Sequence, residues 1–328
     1  MALLCSALAL AVISPVLISG NSEMAQFENF ILRFNKTYKN EEEFKDRLLI
    51  FSKNMEKARL LQKTELGTAK YGVTKFSDLT DEEFSSYHLG TKVPMSPSLE
   101  STKQKASPPK TCDWRKKRVI SKVKDQGQCY SCWAFAAVAN IEAQLGILGD
   151  LGKELSEQQL VDCNTCKNSC EGSFPWDAFI TVLEQGGLAS EAAYPYTAKK
   201  GSCKTVSGPK ASITGFKMIA QHEEAMTAHL AHSGTLTVVI NKALLKSYTG
   251  GIIDQKEKCD PTRGDHVVLI VGYSKEMPKP YWILKNSWGE NWGENGYFRL
   301  QWGKNMCGIT TYPMTATFDK KKRPQCPP

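Results

Sequence analysis

The stretch DQGQCYSCWAF, residues 125–135, contains two cysteines, Cys129 and Cys132, separated by two residues. This spacing occurs in redox dithiols, in zinc sites, and where a structural cysteine precedes a nucleophilic one. A redox dithiol is expected at the end of a strand. The residues before Cys129, SKVKDQGQ, are polar and show no strand pattern. The sequence therefore disfavours a redox role.

A zinc site would need a second cysteine pair, for which Cys163 and Cys166 have the spacing. The segment between Cys132 and Cys163 contains a long apolar helix pattern, whereas zinc ribbons have gaps of about 15–20 residues. Residues 1–20, MALLCSALALAVISPVLISG, are typical of a secretory signal peptide. Secreted chains use cysteines mainly in disulfides. We therefore expect no metal and no cofactor, with Cys132 as a candidate nucleophile.

The composition is that of a globular protein. The 328 residues are 41% hydrophobic and 23% charged, with a formal net charge of +8. Basic residues are scattered, apart from the run 320–323, so we expect no nucleic-acid-binding face. After the signal peptide no segment has enough uninterrupted apolar residues to cross a bilayer. The sequence predicts a soluble secretory protein without a membrane span.

Composition changes along the chain predict four segments. After the signal peptide at 1–20, residues 24–90 form a charged helical block, and residues 91–110, rich in Ser, Pro, Lys and Thr, form a cleavable linker. The remainder, 111–328, is richer in Cys, Trp and Gly. In the helical block six residues recur at helical spacing and predict one packing and salt-bridge stripe. These are Glu43, Arg47, Phe51, Asn54, Ala58 and Gln62. Thr80 and Glu83 have the spacing of a capping box.

The last segment begins with helix patterns and continues with strand patterns. An apolar run from Cys132 to about Leu148 predicts a buried helix, Ser156 and Gln159 cap a second, and residues 174–187 form a third. Strand patterns follow at 235–240, 266–273, 280–288 and 296–302. This order predicts an α+β fold with two subdomains and a cleft between them.

The chemistry expected of Cys132 requires a base. A helix N-terminus favours the thiolate, so we expect a low pKa for this thiol. His266 opens the apolar strand GDHVVLIVGY (264–273), while His222, His229 and His232 lie on a polar helical segment where surface positions are expected. Asn286 in YWILKNSWGENWGENGYFRL (281–300) can orient the imidazole of His266, and Trp288 can shield that hydrogen bond from water.

Together these three motifs resemble the catalytic signatures of the papain family of cysteine proteases. The resemblance covers nearly the whole chain after the signal peptide, and the six-residue stripe with GVTKFSD (72–78) is similar to the prosegments of the cathepsin F and W branch. It implies a papain-like two-subdomain fold, helical on the left and β-barrel-like on the right, behind an N-terminal helical prodomain.

The resemblance also implies a function. The protein would be a cysteine endopeptidase made as a zymogen, acting on peptide or protein substrates, with its own prosegment as inhibitor and cystatin-type inhibitors as further partners. It would lie in the lumen of the endoplasmic reticulum or in the lysosome, and the branch favours the former, in cytotoxic lymphocytes. The alternative is a weakly active or non-catalytic papain-like protein that binds peptides in the same cleft.

Family positions map onto particular residues of this chain. Cys132, His266 and Asn286 would act in catalysis, and Gln126 would complete the oxyanion hole. The pocket that selects the residue before the cleaved one would be apolar and favour hydrophobic side chains. Its expected members are Phe174, Pro175, Val239, Val267 and Tyr312. Further substrate-binding positions are Tyr130, Gly172, Ser173 and Trp288.

Two of these positions depart from the family. Tyr130 and Ser173 stand where relatives typically have glycine, so we expect a narrowed cleft, with backbone strain if either residue needs a positive φ.

The resemblance implies three disulfides, Cys129–Cys170, Cys163–Cys203 and Cys259–Cys307. Cys112, Cys166 and Cys326 remain, which leaves either one extra bridge with a free thiol or a link to another chain. The sequon Asn35-Lys-Thr predicts glycosylation at Asn35, within the prosegment.

Overall fold

The computed structural model of the protein describes residues 15–85, 99–100, 107–165, 169–319 and 325–327. Most of the predicted signal peptide and of the predicted linker lies outside these residues, as do Cys166 and the basic run 320–323. The helices are α1 (Pro15–Phe34), α2 (Glu41–Thr64), α3 (Asp81–Ser85), α4 (Cys132–Ile147), α5 (Glu157–Cys163), α6 (Pro175–Glu184) and α7 (Glu223–Ser233). The strands are β1 (Lys70–Tyr71), β2 (Leu99–Glu100), β3 (Thr111–Asp113), β4 (Gly215–Ile219), β5 (Leu236–Ile240), β6 (Tyr248–Gly250), β7 (Ile252–Ile253), β8 (His266–Ser274), β9 (Tyr281–Lys285), β10 (Tyr297–Gln301) and β11 (Thr311–Thr317).

Helices α1 and α2 pack through a small aromatic core of their own. Its buried members are Phe27, Phe30, Phe51 and Met55. The predicted stripe on α2 serves packing and pairing, because Asn54 Nδ2 donates to the carbonyls of Ser77 and Leu79, both at 2.8 Å. Arg47 forms a 2.7 Å ion pair with Glu83. The stripe thus holds the chain that leads into α3.

Helix α3 begins with the capping box expected from the sequence. The Glu83 backbone N–H donates to Thr80 Oγ1 at 3.0 Å, and the Thr80 N–H donates to Glu83 Oε2 at 2.7 Å. These bonds satisfy donors that a helix start leaves without intrahelical partners. They hold the first turn of α3 and thereby fix the direction in which the Phe84 side chain points.

Helix α4 is the centre of the helical subdomain. All its residues except Leu145 are buried, and it contacts α5, α6 and strands β5, β8 and β11. Ser156 caps α5 by accepting from the Gln159 N–H at 3.0 Å. Helix α6 ends before Gly186 and Gly187, whose φ values of 67° and 123° suit glycine.

The strands form the second subdomain. One sheet has the order β2-β4-β11-β5-β8-β9-β10-β7, with β3 paired to β8, and β1 and β6 form a separate two-stranded sheet. Most pairs are antiparallel; β2–β4 and β7–β10 are parallel. The observed architecture is the predicted α+β fold of a helical and a β-rich subdomain, preceded by a helical N-terminal part.

Four disulfides occur among the described residues. Three have the expected pairing: Cys129–Cys170, Cys163–Cys203 and Cys259–Cys307. The fourth joins Cys112 to Cys326 across a separation of 214 residues. It resolves two of the three cysteines that the sequence left unassigned.

One expectation changes. His229 is only 3% exposed, so its predicted surface position is wrong; α7 turns this residue toward the sheet core rather than to solvent. Helix α1 begins at Pro15, inside the segment predicted as signal peptide. Within the described ranges, no helix combines the length and apolar character needed to span a bilayer.

The Cys112–Cys326 bridge predicts a measurable loss of stability when it is removed. Replacing both cysteines by alanine is expected to lower the free energy of unfolding by about 2–5 kcal/mol, since the bridge closes a long loop in the unfolded chain. Denaturant unfolding of the full chain measures this. Cys326→Ala alone should have a similar effect, and a native protein whose Cys112 is open to alkylation would contradict the pairing.

Candidate active site

The candidate nucleophile stands at the first turn of α4. Cys132 begins the helix, is 4% exposed, and is the free cysteine among the described residues. The backbone N–H groups of Val267, on β8, and of Trp133 interact with its sulfur. Because Val267 follows His266, the α4–β8 contact brings the two candidate catalytic residues together.

His266 is held by an amide and an aromatic ring. Its Nε2 lies 2.8 Å from Asn286 Oδ1, which also accepts the Ser287 N–H at 2.8 Å. The indole of Trp288 stacks on the imidazole with ring centroids 4.7 Å apart and planes at 27°. With Nε2 engaged by Asn286, Nδ1 is the ring nitrogen left for chemistry with the thiol.

Gln126 lies in the loop before α4 and is tied to the Asn286 segment. Its Oε1 accepts from Ser287 Oγ at 2.6 Å, and its backbone N–H donates to the Ser287 carbonyl at 2.9 Å. Its Nε2 donates to the Cys129 carbonyl at 3.0 Å, which uses one of two amide hydrogens. The second hydrogen remains for an oxyanion.

A buried group of charges anchors the same two segments. Lys124 pairs with Glu157 at 2.7 Å and with Glu142 at 3.3 Å, and all three side chains are largely buried. Lys285, directly before Asn286, donates to the carbonyl and hydroxyl of Ser121 at 2.8 and 2.9 Å. Such pairs, once satisfied, hold the Gln126 loop and the end of β9 in place.

The electrostatics of the two reacting groups differ from the sequence expectation. Burial raises the pKa of the Cys132 thiol to about 11, although N–H groups oppose this. Burial also lowers the pKa of His266 to about 3, outweighing the hydrogen bond that Nε2–H donates to Asn286 Oδ1. The low-pKa thiolate expected from the sequence is therefore wrong for this form of the chain. Desolvation overrides the helix N-terminus, and both groups are neutral here.

The residues expected to form the apolar pocket lie on neighbouring elements, and Val239 and Val267 are fully buried. Val239 and Val267 are directly opposed on β5 and β8. Phe174 precedes α6, Pro175 begins it, and Tyr312 lies on β11. Phe174 and Tyr312 are joined by Trp176, which stacks on Phe174 at 4.3 Å and meets Tyr312 edge-on at 5.4 Å.

The two glycine replacements behave differently from each other. Neither Tyr130 nor Ser173 has a positive φ, so the strain considered for them is absent; Gly172, with φ of 97°, takes the left-handed position. Ser173 is 2% exposed and its hydroxyl bonds to Asp177 and Asn164, so its side chain does not narrow the cleft. Tyr130 is half-buried, and its N–H donates to the Cys170 carbonyl at 3.2 Å.

Sequence reasoning did not single out Trp176 or Tyr196. Tyr196 donates to the Gln126 carbonyl at 2.8 Å, and its oxygen lies 2.6 Å from Ser131 Oγ, so it supports the loop on both sides of Cys129. The FPW run was a usable signal for Trp176, whereas Tyr196 lies in a loop without a pattern. No cluster of metal-ligating side chains occurs in the ranges the structure describes.

The N-terminal part lies directly on the site. Phe76 and Phe84 both meet Trp288 edge-on, with ring centroids at 4.8 and 5.8 Å. Lys246 donates to Asn54 Oδ1 and Asp81 Oδ1, each at 2.9 Å. Strand β1 pairs with β6. The prosegment thus covers the indole that shields His266 and contributes to the burial of the site.

Comparison with protein families gives two matches. Residues 108–317 match the papain family cysteine protease model, which spans more than half of the chain. The chain belongs to the papain family of cysteine proteases. Residues 27–84 match the cathepsin propeptide inhibitor domain. The protein is therefore a cysteine endopeptidase made as a zymogen with an inhibitory propeptide.

Individual relatives agree with this assignment. The chain is 44% identical to cathepsin W of Mus musculus, over 92% of this chain and 90% of that protein. It is 37% identical to cathepsin F of Mus musculus, over 88% of this chain and 64% of that protein. These similarities support the cathepsin W and F branch of the family.

Solved precursor structures share the fold. The digestive procathepsin L2 proteinase of Tenebrio molitor larval midgut superposes with a TM-score of 0.81 at 31% identity, covering 90% of this chain and 100% of that one. Recombinant stem bromelain precursor gives a TM-score of 0.82 at 31% identity, covering 91% of this chain and 100% of that one.

The pKa values predict slow thiol chemistry in the intact precursor. A thiol whose pKa is raised to about 11 is almost entirely protonated at neutral pH, so alkylation of Cys132 should be slow there and should increase steadily as the pH rises above neutrality. Iodoacetamide labelling against pH, with the site mapped by mass spectrometry, measures this. Removing the prosegment should move the labelling to lower pH. An intact precursor labelled at Cys132 as fast as a free cysteine at neutral pH would contradict the burial argument.

Proposed function

We propose that Cys132, His266, Asn286 and Gln126 carry out peptide-bond hydrolysis in this protease. The observation that carries the proposal is the 2.8 Å contact between His266 Nε2 and Asn286 Oδ1 under the Trp288 ring, with Cys132 against the Val267 N–H. Asn286 and Trp288 fix the imidazole plane. Residues with these roles define a thiol–imidazole mechanism irrespective of their order in the chain.

The mechanism begins when the prosegment leaves. Water then reaches the site, the desolvation that keeps both groups neutral is relieved, and the Cys132 proton moves to His266 Nδ1. The thiolate attacks the substrate carbonyl carbon. The Cys132 backbone N–H and the second Gln126 Nε2 hydrogen receive the developing oxyanion.

His266 then acts in both directions. It protonates the leaving amine, which gives a thioester on Cys132, and it next takes a proton from water that attacks this thioester. The acid is released and the thiol–imidazole pair is restored. Asn286 keeps the ring in one orientation throughout.

The segment boundaries are part of the proposal. Residues 1–20 would be removed as a signal peptide, 24–90 would form the inhibitory prodomain, 91–110 the cleavable linker, and 111–328 the peptidase with its C-terminal tail. The contacts of Phe76 and Phe84 with Trp288, and of Lys246 with Asn54 and Asp81, support inhibition by docking on the site.

Substrate preference follows from the pocket. Val239, Val267 and Tyr312 belong to one apolar cluster, and Trp176 joins Phe174 to it, so a hydrophobic side chain is expected at the residue before the cleaved one. Pro175 follows Phe174 and begins α6. Tyr130 and Gly172 would border the path of the substrate backbone.

The proposal extends to the destination of the protein in the cell, its glycosylation and its inhibitors. The expected signal peptide supports a secretory or lysosomal destination, and residence in the endoplasmic reticulum of cytotoxic lymphocytes stays a prediction. Asn35 is exposed just after α1, which suits a glycan acceptor. Cystatin-type inhibitors would bind the open cleft.

Turnover after prosegment removal tests the catalytic assignment. The activated protein should hydrolyse peptides that carry a hydrophobic side chain at the residue before the cleaved one, with a rate proportional to the sites titrated by a thiol-directed irreversible inhibitor. Cys132→Ala should abolish turnover, while Gln126→Ala should lower kcat about 100- to 1000-fold through the oxyanion hole. Binding of the same peptides without any turnover would favour the non-catalytic alternative.

The half-buried ring of Tyr130 predicts crowding of the cleft. Tyr130→Gly is expected to raise kcat/KM on small hydrophobic peptides by about tenfold, the effect of about 1.4 kcal/mol on the barrier. Ser173→Gly is the matched control, because the serine side chain points to Asp177; it should leave kcat/KM unchanged. Equal values for the parent and Tyr130→Gly would mean that the loop accommodates the ring.

A further inference from the structure

A lysine lies beside the catalytic pair where the prosegment now covers it. Lys242 is 1% exposed, and its backbone N–H donates to Asp265 Oδ1 at 2.8 Å, while its ammonium is 3.9 Å from Asp265 Oδ2. Phe84 of the prosegment sits against the same ammonium, 5.4 Å from ring centroid to Nζ. Beyond the effects of burial, the Lys242 charge lowers the pKa of both Cys132 and His266, which reflects its closeness to the reacting groups.

Strand register tells on which side of the cleaved bond Lys242 lies. On β5, Val239 opposes Val267 and Ile240 opposes His266. Val239 belongs to the proposed pocket for the residue before the cleaved one, and Lys242 follows on the other side of His266. Since His266 protonates the leaving amine, that side receives the residues after the cleaved bond.

A cavity of about 350 Å³ opens at this position. It is lined by two cations, Lys242 and Arg263, and one carboxylate, Asp265, together with Asn241, Ala243 and Gly264. Phe84 and Ser85 of the prosegment form the remaining wall. When the prosegment leaves, this wall leaves with it, and a cavity with an excess of positive charge faces the leaving-group side of the cleft.

We propose that Lys242, assisted by Arg263, forms a subsite that binds a carboxylate of the substrate just after the cleaved bond. Resting on the proposed protease function, this selects substrates with Asp or Glu at the first or second position past the scissile bond. Asp265 orients the lysine, because its Oδ1 accepts the Lys242 N–H and its Oδ2 pairs with the ammonium at 3.9 Å; Arg263 leaves the group with a net positive charge. Burial lowers the pKa of Lys242, and an incoming carboxylate would favour its charged form.

Paired peptides test the subsite in the prosegment-free enzyme. The peptides share one hydrophobic sequence before the cleaved bond and carry Glu, Gln or Lys after it. We expect kcat/KM for the Glu peptide to exceed that for the Gln peptide about tenfold, because a charge-assisted contact is stronger than a neutral one. The ratio should fall with added salt.

Variants assign the effect to one residue. Lys242→Met should bring the ratio of Glu to Gln peptides to about one and relieve discrimination against Lys. Lys246→Met is the control: this lysine also lies near Phe84, at 5.9 Å, but bonds to Asn54 and Asp81 of the prosegment, so the ratio should persist. A parent enzyme without preference for Glu, or a preference that survives Lys242→Met, overturns the proposal.

A binding measurement separates this proposal from the proposed function. Prosegment-free Cys132→Ala protein is titrated with fluorescent Glu and Gln peptides, which reports recognition without chemistry. If the parent hydrolyses nothing while Glu peptides still bind about tenfold tighter through Lys242, the protease assignment fails and the subsite stands. Equal binding of the two peptides overturns the subsite even when turnover is normal.

Discussion

The packing of one buried helix against one buried strand determines the active site. Helix α4 begins at Cys132 and lies on β8, which begins at His266 and is buried along its whole length. Cys132 and His266, which are far apart in the chain, therefore meet where α4 and β8 begin. Strand β9 pairs with β8 and delivers Asn286, and Ser287 then bonds to Gln126. Each catalytic candidate is placed by the element it begins or follows, so the site is as rigid as the core.

The burial that holds the catalytic residues in place also keeps them inactive in the precursor. A helix start and nearby N–H groups favour a thiolate, but a site sealed by aromatic rings disfavours any charge more strongly. Phe76 and Phe84 of the prosegment contribute to this sealing by packing edge-on against the Trp288 indole. On this account the catalytic residues are inactive in the precursor because they are shielded from water. The same residues become active when removal of the prosegment exposes them to solvent. A protease built this way needs no rearrangement of its core when the covering segment is removed.

Local signals in the sequence predicted much of the fold. The capping residues Thr80 and Ser156 and the apolar run after Cys132 were sufficient for the helices, since caps act within one turn. Patterns did not reveal the Cys112–Cys326 pairing or the burial of His229, because both depend on which distant surfaces meet. Ser173 was misjudged for a related reason: its identity indicates a replaced glycine, but only the position of Asp177 tells where its hydroxyl points. The thiol pKa depends on solvent exclusion by a separate segment, which no motif reports.

The disulfide between Cys112 and Cys326 turns the peptidase into a covalent ring. The Asp113 N–H donates to the Pro327 carbonyl at 2.8 Å and the Cys326 N–H to the Ala231 carbonyl at 3.0 Å, so both ends of the ring rest on one face beside α7. A single backbone cut in any loop between these cysteines opens the ring without releasing a piece. If the protease cuts other copies of itself in such a loop, the disulfide keeps the two subdomains covalently joined. Fragments that appear only after reduction would then come from cut molecules that the disulfide had held together.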